Sequence, residues 1–419
     1  MLEAPTEDVF QQAKTCFFAG LACLEAQQFK DAEQHFVAAL RLVPGRASTL
    51  VNLAATRVLL GQPEQALSAA DEALAIEPDS HDAWLHRATA LAGLSRYADA
   101  LTGFERALAL DAGQSEIWSR QAQTLTALDR PDDALRSYER ALAIDPASPK
   151  LWSRYGEALR EQMRLPEAAR AFEQAIEHGG DPELHAYLLA STGFAAMPAR
   201  APDRYVQALF DGYAGEFDQH LVGVLGYQAH AVLTRQLALL ARGPFESALD
   251  LGCGTGLCGP LVKPHVRHLT GVDLSGAMLA KAGELGVYNE LVHGDLTAHL
   301  RGTPRRYDLV LAADVFIYVG ELDGVFAAVR GATLPGAVFC FTAEIPPPTI
   351  PPDAGIAATM LPESPGLQLL PSLRYAHSEG YLRLLAARHG FEVLDVLRQP
   401  VRHDQRQPID GLYMVLVRT

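Results

Sequence analysis

The chain contains few cysteines and no long apolar run, and both features restrict what it can be. Its cysteines are odd in number and scattered, namely Cys16, Cys23, Cys253, Cys258 and Cys340. This distribution argues against a disulfide framework and favours a reducing cytoplasm. No apolar run approaches the roughly 18–20 residues that cross a bilayer. The acidic N-terminus lacks a basic segment followed by an apolar stretch, so no export signal is expected.

Further absences exclude particular chemistries. No two cysteines have the compact C-x2-C spacing, so Cys253, Cys258, His265 and His268 do not form a typical zinc pattern, and no metal is expected. An iron–sulfur centre would need clustered cysteines, and a serine hydrolase would need a G-x-S-x-G segment; both are missing. The net charge of −15 disfavours nonspecific binding to nucleic acid or to an anionic membrane.

The first 180 residues contain a 34-residue repeat without insertions. Alanine recurs at Ala32, Ala66, Ala100, Ala134 and Ala168. Four residues later stand Phe36, Ala70, Phe104, Tyr138 and Phe172, and the units end at Pro44, Pro78, Ala112, Pro146 and Gly180. Small residues let two helices approach closely, the aromatic ring fills the space beside them, and proline ends the second helix. The pattern resembles the tetratricopeptide repeat (TPR) over all five units.

This resemblance implies an all-α TPR solenoid of five repeats, with a protein or peptide bound in its groove. The groove is expected to be apolar at one end, with Phe17, Leu21, Val51, Ala55 and Val58, and polar at the other, with Ser119, Gln123, Ser153, Glu157 and Arg160. Residues 1–200 carry 18 basic and 28 acidic side chains, which favours a basic partner segment. An array that only scaffolds or dimerises the protein is the alternative. The helical pattern of residues 181–191 predicts a capping helix, which gives an array over 1–192 and a linker over 193–203.

A glycine-rich segment begins the second half of the chain. The apolar residues Ala248 to Leu251 predict a buried strand, and Gly252, Gly254 and Gly256 follow it. Glycines at this point let backbone N–H groups approach a ligand closely. The next apolar segment ends at Asp273, and a carboxylate in that position can accept both hydroxyls of a ribose.

The glycine spacing separates two classes of nucleotide ligand. A dinucleotide fingerprint would place its third glycine at position 257, which is Leu257. The pattern Asp250-x-Gly252-x-Gly254-x-Gly256 instead resembles the first motif of class I S-adenosylmethionine-dependent methyltransferases. The resemblance implies an α/β Rossmann-like methyltransferase domain over 204–419 that binds S-adenosyl-L-methionine. It also extends to bacterial methyltransferases that fuse TPR repeats to a catalytic domain.

The same resemblance implies roles for individual residues. Asp273 would hold the ribose, Asp295 the adenine amino group and Leu296 the face of the ring, while the helix with Tyr213 and Phe217 would fold over the cofactor. The full set expected at the cofactor is Tyr213, Asp250, Gly252, Cys253, Gly254, Gly256, Asp273, Leu274, Asp295, Leu296, Ala312 and Asp314.

The alternation of apolar segments predicts the sheet of this domain. Seven strands are expected, at 248–251, 269–273, 288–293, 307–313, 337–342, 391–398 and 412–418. Strands alternating with helices indicate a parallel sheet covered on both faces, and the last two strands indicate an antiparallel hairpin. The proline-rich residues between Glu344 and His377 predict a loop that covers the substrate, with a passive insertion as the alternative.

The predicted function is methyl transfer to a protein, peptide or carrier-bound acceptor that the array recruits. A methyltransferase acting on a small molecule and a non-catalytic adaptor that binds the cofactor remain as alternatives. His377 and Tyr318 are the candidate bases, both chosen by their location. The acceptor atom (O, N, S or C), the partner of the array and the oligomeric state stay open.

Overall fold

A computed structural model describes residues 6–215, 217–239, 242–347, 366–404 and 407–419. The chain divides into two compact units, Met1–Gly180 and Asp181–Thr419. In the part of the chain described, no helix combines the length and the apolar character that crossing a membrane requires.

The described residues of the first unit, 6–180, form ten helices that pack in consecutive pairs. They are α1 (Glu7–Glu25), α2 (Phe29–Leu42), α3 (Ala47–Leu59), α4 (Pro63–Ile76), α5 (His81–Gly93), α6 (Tyr97–Leu110), α7 (Ser115–Ala127), α8 (Pro131–Ile144), α9 (Pro149–Glu161) and α10 (Leu165–Glu177). The five predicted repeats therefore correspond to five helix pairs.

Contacts that recur every 34 residues explain why this sequence forms helix pairs. In the first pair, a Cβ on Gly20 would lie 2.6 Å from Cε1 of Phe36, so the small residue is what allows the ring to pack there. Trp84, Trp118 and Trp152 each donate an indole N–H to the carbonyl oxygen six residues earlier, over 2.8–3.0 Å. These tryptophans thereby tie the start of a repeat to the end of the preceding one.

A backbone conformation recurs in every repeat although no single residue type recurs at that position. The turn inside each pair contains one residue with φ between 55° and 68°, and these are Gln27, Gly61, Ser95, Asp129 and Met163. Only one of the five is glycine, although the left-handed region favours glycine. The repeated geometry of the pair, and not local preference, therefore sets this conformation.

The second unit contains eight helices and nine strands among its described residues. The helices are α11 (Pro182–Ser191), α12 (Asp203–Asp211), α13 (Ala229–Leu239), α14 (Gly259–Val262), α15 (Gly276–Glu284), α16 (Leu296–Gly302), α17 (Asp323–Ala332) and α18 (Glu379–Arg388). The strands are β1 (Phe245–Leu251), β2 (Val266–Asp273), β3 (Glu290–His293), β4 (Tyr307–Ala312), β5 (Thr333–Glu344), β6 (Leu367–Leu369), β7 (Tyr375–His377), β8 (Phe391–Asp404) and β9 (Gln407–Arg418).

The strands form one mixed sheet. Its parallel part has the order β3-β2-β1-β4-β5, and the hairpin of β8 and β9 joins antiparallel to β5 through β9. All seven predicted strands are present, which confirms the α/β class. The structure adds the short strands β6 and β7, and β7 joins β5 where Glu344 pairs with Ala376. Segments of three residues are too short to show strand periodicity, so the sequence did not reveal them.

Apolar side chains cover both faces of the sheet. Along β4, Leu309 and Leu311 pack on one face, while Val310 and Ala312 pack on the other. Such burial on both faces is typical of a parallel sheet between two helical layers. All the carboxyl ends of the parallel strands consequently meet at one edge, which is where a ligand can bind.

Helix α11 and the residues after it belong to the second unit, which differs from the predicted capping helix and linker. The hydroxyl of Tyr187 donates to the carbonyl of Leu373 over 2.5 Å, and its ring lies 6.2 Å from that of Tyr375. The carbonyl of Ala199 accepts N–H groups from Gly320 and Glu321, each at 2.9 Å. A helical period cannot show which unit a helix packs against, so the array over 1–192 and the linker over 193–203 stay predictions.

Most of the predicted substrate-covering loop, at residues 348–365, lies outside the described residues.

Candidate active site

The loop after β1 is packed on both sides and open in the middle. Gly252, Gly254 and Gly256 have φ values of 60°, 54° and 91°. A Cβ on Gly252 would lie 2.6 Å from Cγ2 of Val315, and one on Gly256 would lie 2.8 Å from Cδ1 of Leu285. A Cβ on Gly254 would meet no heavy atom within 4 Å. Gly254 therefore borders open space, whereas the two flanking glycines are required by their neighbours.

That open space is a cavity of about 660 Å³ at the carboxyl edge of the sheet. Eleven of the fourteen predicted site residues line it. They are Tyr213, Asp250, Gly252, Cys253, Gly254, Asp273, Leu274, Asp295, Leu296, Asp314 and Tyr318. The remaining three, Gly256, Ala312 and His377, are not among the lining residues.

Asp273 ties the glycine loop to the end of β2. One carboxylate oxygen accepts the N–H of Gly254 over 2.8 Å, and the other accepts the N–H of Ser275 over 2.8 Å. Burial raises the pKa of Asp273, and the hydrogen bonds from Ser275 and Gly254 oppose that rise. Because each oxygen uses one lone pair on the backbone, each keeps another for a ligand hydroxyl.

Asp250 lies beneath the loop in a fully buried position. Its carboxylate accepts a hydrogen bond from the hydroxyl of Tyr288 over 2.7 Å. Burial raises the pKa of Asp250 to about 7, although the hydrogen bond from Tyr288 acts in the opposite direction. Burial therefore lets Asp250 keep its proton to a higher pH than an exposed carboxyl would.

Asp295 begins α16 at the same edge. One oxygen accepts the N–H of Ala298 over 2.8 Å, and the other pairs with Arg200 over 3.0 Å. Arg200 belongs to the segment predicted as a linker, and it lines the cavity together with Ala201 and Asp203. The segment after α11 is therefore part of the wall of the site.

The helical segment before β1 covers another side of the cavity. The Tyr213 ring packs edge-to-face on Phe217 at 5.4 Å, and its hydroxyl is hydrogen-bonded to His220. Asp218 accepts a hydrogen bond from the hydroxyl of Thr255 over 2.5 Å, which joins this segment to the glycine loop. A single π-helical turn, Gln219–Val224, follows and contributes Leu221 to the lining. Such turns frequently occur at functional sites.

A buried ion cluster stands at the ends of β4 and β5. Arg402 of β8 donates to both carboxylate oxygens of Asp314 over 2.9 Å and also donates to Glu344. Asp314 has a φ of 60°, and its N–H donates to the hydroxyl of Thr342 over 2.7 Å. A non-glycine residue in the left-handed region is strained by roughly 1–3 kcal/mol, and such strain clusters at active sites.

The sequence did not single out Arg402, although the guanidinium is only 2% exposed and lines the cavity. Tyr227, His230 and Arg374 also line it and were missed as site residues. No local motif surrounds any of them. A buried arginine on a terminal strand, beside two acidic strand ends, becomes visible only once the strands are in register.

His377 is a core residue, so its assignment as a candidate base is corrected. The side chain is 0% exposed, and its Nε2 lies 3.0 Å from the carbonyl oxygen of Gly320. Its ring stacks on Tyr381, and burial lowers its pKa to about 4. The short strand β7 turns this histidine into the protein and away from the cavity lining.

Tyr318 does line the cavity, and its ring packs edge-to-face on Phe210 at 5.5 Å. Burial raises its pKa to about 12, so the hydroxyl stays protonated at neutral pH and is a hydrogen-bond donor, not a base.

Ala312 and Gly256 also differ from their expected places at the cofactor. Ala312 is completely buried and packs in the apolar core. Gly256 packs against Leu285, Tyr288 and Ala282, so it shapes the loop from behind. Across the described ranges, no group of three or more His, Cys, Asp or Glu side chains is arranged to hold a metal ion.

Two family models match the chain. A tetratricopeptide repeat model matches residues 57–124 and 125–192, and a model described as a methyltransferase domain matches residues 249–339. The chain joins tetratricopeptide repeats to a methyltransferase domain. The prediction that these two kinds of domain occur together in the chain is confirmed.

Curated relatives match the chain only in part. The chain is 27% identical over 147 residues to malonyl-[acyl-carrier protein] O-methyltransferase of Salmonella typhimurium, covering 34% of this chain and 55% of the relative. It is 35% identical over 106 residues to trans-aconitate 2-methyltransferase of Paracidovorax citrulli, covering 24% and 40%. The chain therefore spans about half the length, or less, of these relatives.

Solved structures resemble each part distantly. Magnesium protoporphyrin IX methyltransferase of Synechocystis, with bound SAH, has a TM-score of 0.39 at 16% identity, covering 52% of this chain and 99% of that one. A thermophilic TPR protein of Thermus thermophilus has a TM-score of 0.39 at 21% identity, covering 43% and 98%. Likenesses this distant carry no argument about function.

Proposed function

We propose that the TPR-fused methyltransferase binds S-adenosyl-L-methionine in its cavity and transfers the methyl group to an acceptor that the repeats recruit. The observation that carries the proposal is the placement of Asp273 against Gly254. The carboxylate is fixed by two backbone N–H groups, while lone pairs remain for two ribose hydroxyls. Beside it, Gly254 leaves the space that a side chain would fill. These residues therefore fit a ribose-bearing cofactor.

The other residues of the edge fit the remaining parts of that cofactor. Asp295 and Leu296 line the cavity beyond Asp273, where they would hold the adenine. Tyr213 and Phe217 line it from the helical segment before β1, where they would exclude water. When bound, the cofactor supplies an electrophilic methyl group on a sulfonium. The task left for the protein is to align an acceptor with that methyl group.

The acceptor itself is proposed to be a protein, peptide or carrier-bound group held by the array. Support comes from the repeat architecture, since TPR solenoids bind extended segments. The excess of acidic side chains in residues 1–200 favours a basic segment. One relative acts on a malonyl group on a carrier protein, and another acts on trans-aconitate. A small-molecule acceptor with the array as scaffold, and a cofactor-binding adaptor, are the competing functions.

Calorimetry with S-adenosylmethionine and S-adenosylhomocysteine tests the cofactor. Both should bind, and Asp273→Ala should weaken both by about 1–3 kcal/mol, because buried hydroxyls lose their acceptor. The matched control is Glu392→Gln, which removes an exposed carboxylate on β8. Unchanged affinity in Asp273→Ala would remove the ribose assignment. Tight binding of a nicotinamide dinucleotide, with none of either sulfur compound, would overturn the function.

Labelled methyl transfer to a cell lysate distinguishes the competing functions. The full chain is compared with residues 181–419, which contain a complete compact unit with its own core. Both proteins should bind cofactor, but transfer to macromolecules should fall at least tenfold without the array. Equal transfer to a small molecule by both would favour the scaffold alternative. Cofactor binding without any transfer would favour the adaptor.

A further inference from the structure

One end of the cavity, at the end of β4, is formed by three separate parts of the chain. Asp314 and Tyr318 follow β4, Tyr227 precedes α13, and Arg402 comes from β8. In the sheet, β1 separates β4 from β2, the strand that bears Asp273. Adjacent strands are about 4.8 Å apart. The cluster is thus displaced along the sheet from Asp273, and we call it the acceptor end because the proposal below places the acceptor there.

The acceptor end presents hydrogen-bond donors. Tyr227 is 4% exposed, and in the described part of the chain neither its hydroxyl nor that of Tyr318 is hydrogen-bonded to another protein group. Burial raises the pKa of both tyrosines, so both hydroxyls remain protonated. The Nε of Arg402 is buried and also lacks a partner among the described residues. An atom buried to this degree does not reach the surface of the cavity, so the donors available for the oxygen atoms of a ligand are the two tyrosine hydroxyls.

The charges at this end nearly balance one another. Arg402 is paired with Asp314 and Glu344. Arg374 lines the same cavity, and its charge acts on Tyr318 and Glu344. Two cations thus accompany two carboxylates, and the net charge alone selects neither an anion nor a cation. The state of the polar groups then decides the chemistry. Asp314 and Glu344, which could bind an ammonium group, are already paired with Arg402, whereas the hydroxyls of Tyr227 and Tyr318 can donate to the oxygen atoms of a ligand.

We propose that the acceptor end binds a carboxylate of the acceptor molecule, so that methyl transfer produces a methyl ester. The inference rests on the proposed function and adds the class of the acceptor group. One carboxylate oxygen forms the new C–O bond while the S–CH3 bond breaks, and the sulfur keeps the electron pair. The product is a neutral ester beside a neutral thioether. A carboxylate is already deprotonated at neutral pH, so the reaction uses no base, in accord with the places of His377 and Tyr318.

Fragment binding tests the acceptor class without knowledge of the natural substrate. The full chain is saturated with S-adenosylhomocysteine and titrated calorimetrically with benzoate, benzyl alcohol and benzylamine, which share one ring and differ in the polar group. Benzoate should bind at least tenfold more tightly than benzylamine. Combining Tyr227→Phe with Tyr318→Phe should reduce benzoate affinity at least tenfold. Tyr97→Phe, in α6 of the array, is the control and should change nothing.

Three results would overturn the proposal. One is tighter binding of benzylamine or benzyl alcohol than of benzoate. Another is benzoate affinity that is undetectable or unaffected by the double variant. The third is a tenfold loss of S-adenosylhomocysteine affinity in the double variant, since the donors would then serve the carboxylate of the cofactor. If the unsubstituted chain does not bind S-adenosylhomocysteine, the proposed function falls as well.

The chemistry of the product gives a second measurement. After transfer from tritiated S-adenosylmethionine to a lysate, mild alkali hydrolyses methyl esters and releases volatile methanol, whereas N-, S- and C-methyl groups are stable. Most of the label should become volatile. Label that stays bound would overturn the carboxylate acceptor and leave the methyltransferase function standing. No transfer at all would count against both.

Discussion

The two ends of the cavity hold their polar groups by different means. At the end that is proposed to bind ribose, here called the ribose end, Asp273 is fixed by backbone N–H groups, and its partners Gly254 and Ser275 lie 19 and 2 residues away in sequence. At the acceptor end, Arg402 is fixed by full charges on Asp314 and Glu344, which lie 88 and 58 residues away. The ribose end thus needs only one strand–loop–strand unit, whereas the acceptor end needs the completed sheet.

The difference has an energetic consequence. A carboxylate held by backbone dipoles can be removed without leaving a charge unpaired, so the cost appears mainly in ligand affinity. A buried cation shared by two carboxylates cannot be removed in that way, so the cost appears in the stability of the fold. Substitutions at the ribose end should therefore mainly lower ligand affinity, and substitutions at the acceptor end should mainly lower the stability of the fold.

The largest effect is expected at Arg402. Arg402→Met should lower the free energy of unfolding by about 3–5 kcal/mol, because Asp314 and Glu344 would stay buried without their cation. Urea denaturation at pH 7 measures this. The control, Arg383→Met, breaks an exposed pair with Glu379 and should cost less than about 1 kcal/mol. Combining Arg402→Met with Asp314→Asn and Glu344→Gln should recover part of the lost free energy of unfolding. A loss below about 1 kcal/mol in the Arg402→Met variant alone would contradict the comparison.

A smaller effect is expected from the titration of Asp250. Its folded pKa of about 7 lies above the ordinary 3.8, so the folded protein keeps a proton that the unfolded chain releases. This contribution to stability is complete below the lower value and is lost as the pH rises through the higher one, by up to about 1.4 kcal/mol per pH unit. Asparagine does not titrate, so the ligand-free Asp250→Asn variant should lack this contribution. The stability of the unsubstituted protein minus that of the variant should therefore fall with rising pH. Parallel profiles would mean that Asp250 does not titrate in this range.

The smallest effects distinguish two glycines of one loop. Gly252→Ala and Gly254→Ala both place a side chain at positive φ, which costs about 1–2 kcal/mol. Only Gly252→Ala also brings a Cβ against Val315, so it should be the less stable of the two. Gly254→Ala should instead lose more cofactor affinity, since its Cβ would enter the cavity. Thermal unfolding and calorimetry on both variants check the pair, and the reverse ranking would place the ligand elsewhere.

The ribose end could be predicted from the sequence because its determinants are local. Asp250, the three glycines and Asp273 fall within two strands and the loop between them, so their spacing alone indicates the geometry. Asp295 could be predicted for the same reason, because it lies just after the end of β3. The strands were predicted for a related reason, since apolar segments in a covered parallel sheet are compact and separated by helices.

The acceptor end could not be predicted because it depends on strand register. Arg402 lies opposite Ile409 in a hairpin whose two strands show no motif. Nothing in the sequence around Tyr227 indicated that Asp314 lies near it. His377 was chosen because it follows a proline-rich segment near strand five, but a strand of only three residues directs it into the core. Pairing between distant segments decided each of these positions.

The connection between α10 and α11 is short, which favours exchange of the N-terminal unit by protein engineering. Helix α10 ends at Glu177 and α11 begins at Pro182, so very few residues connect the repeats to the second unit. Everything that walls the cavity, including Arg200 and Ala201, comes after that junction. A different binding domain could therefore be joined at Gly180 without changing the residues that line the cavity. If the proposed function is correct, the unit that recruits the acceptor and the unit that transfers the methyl group are separate.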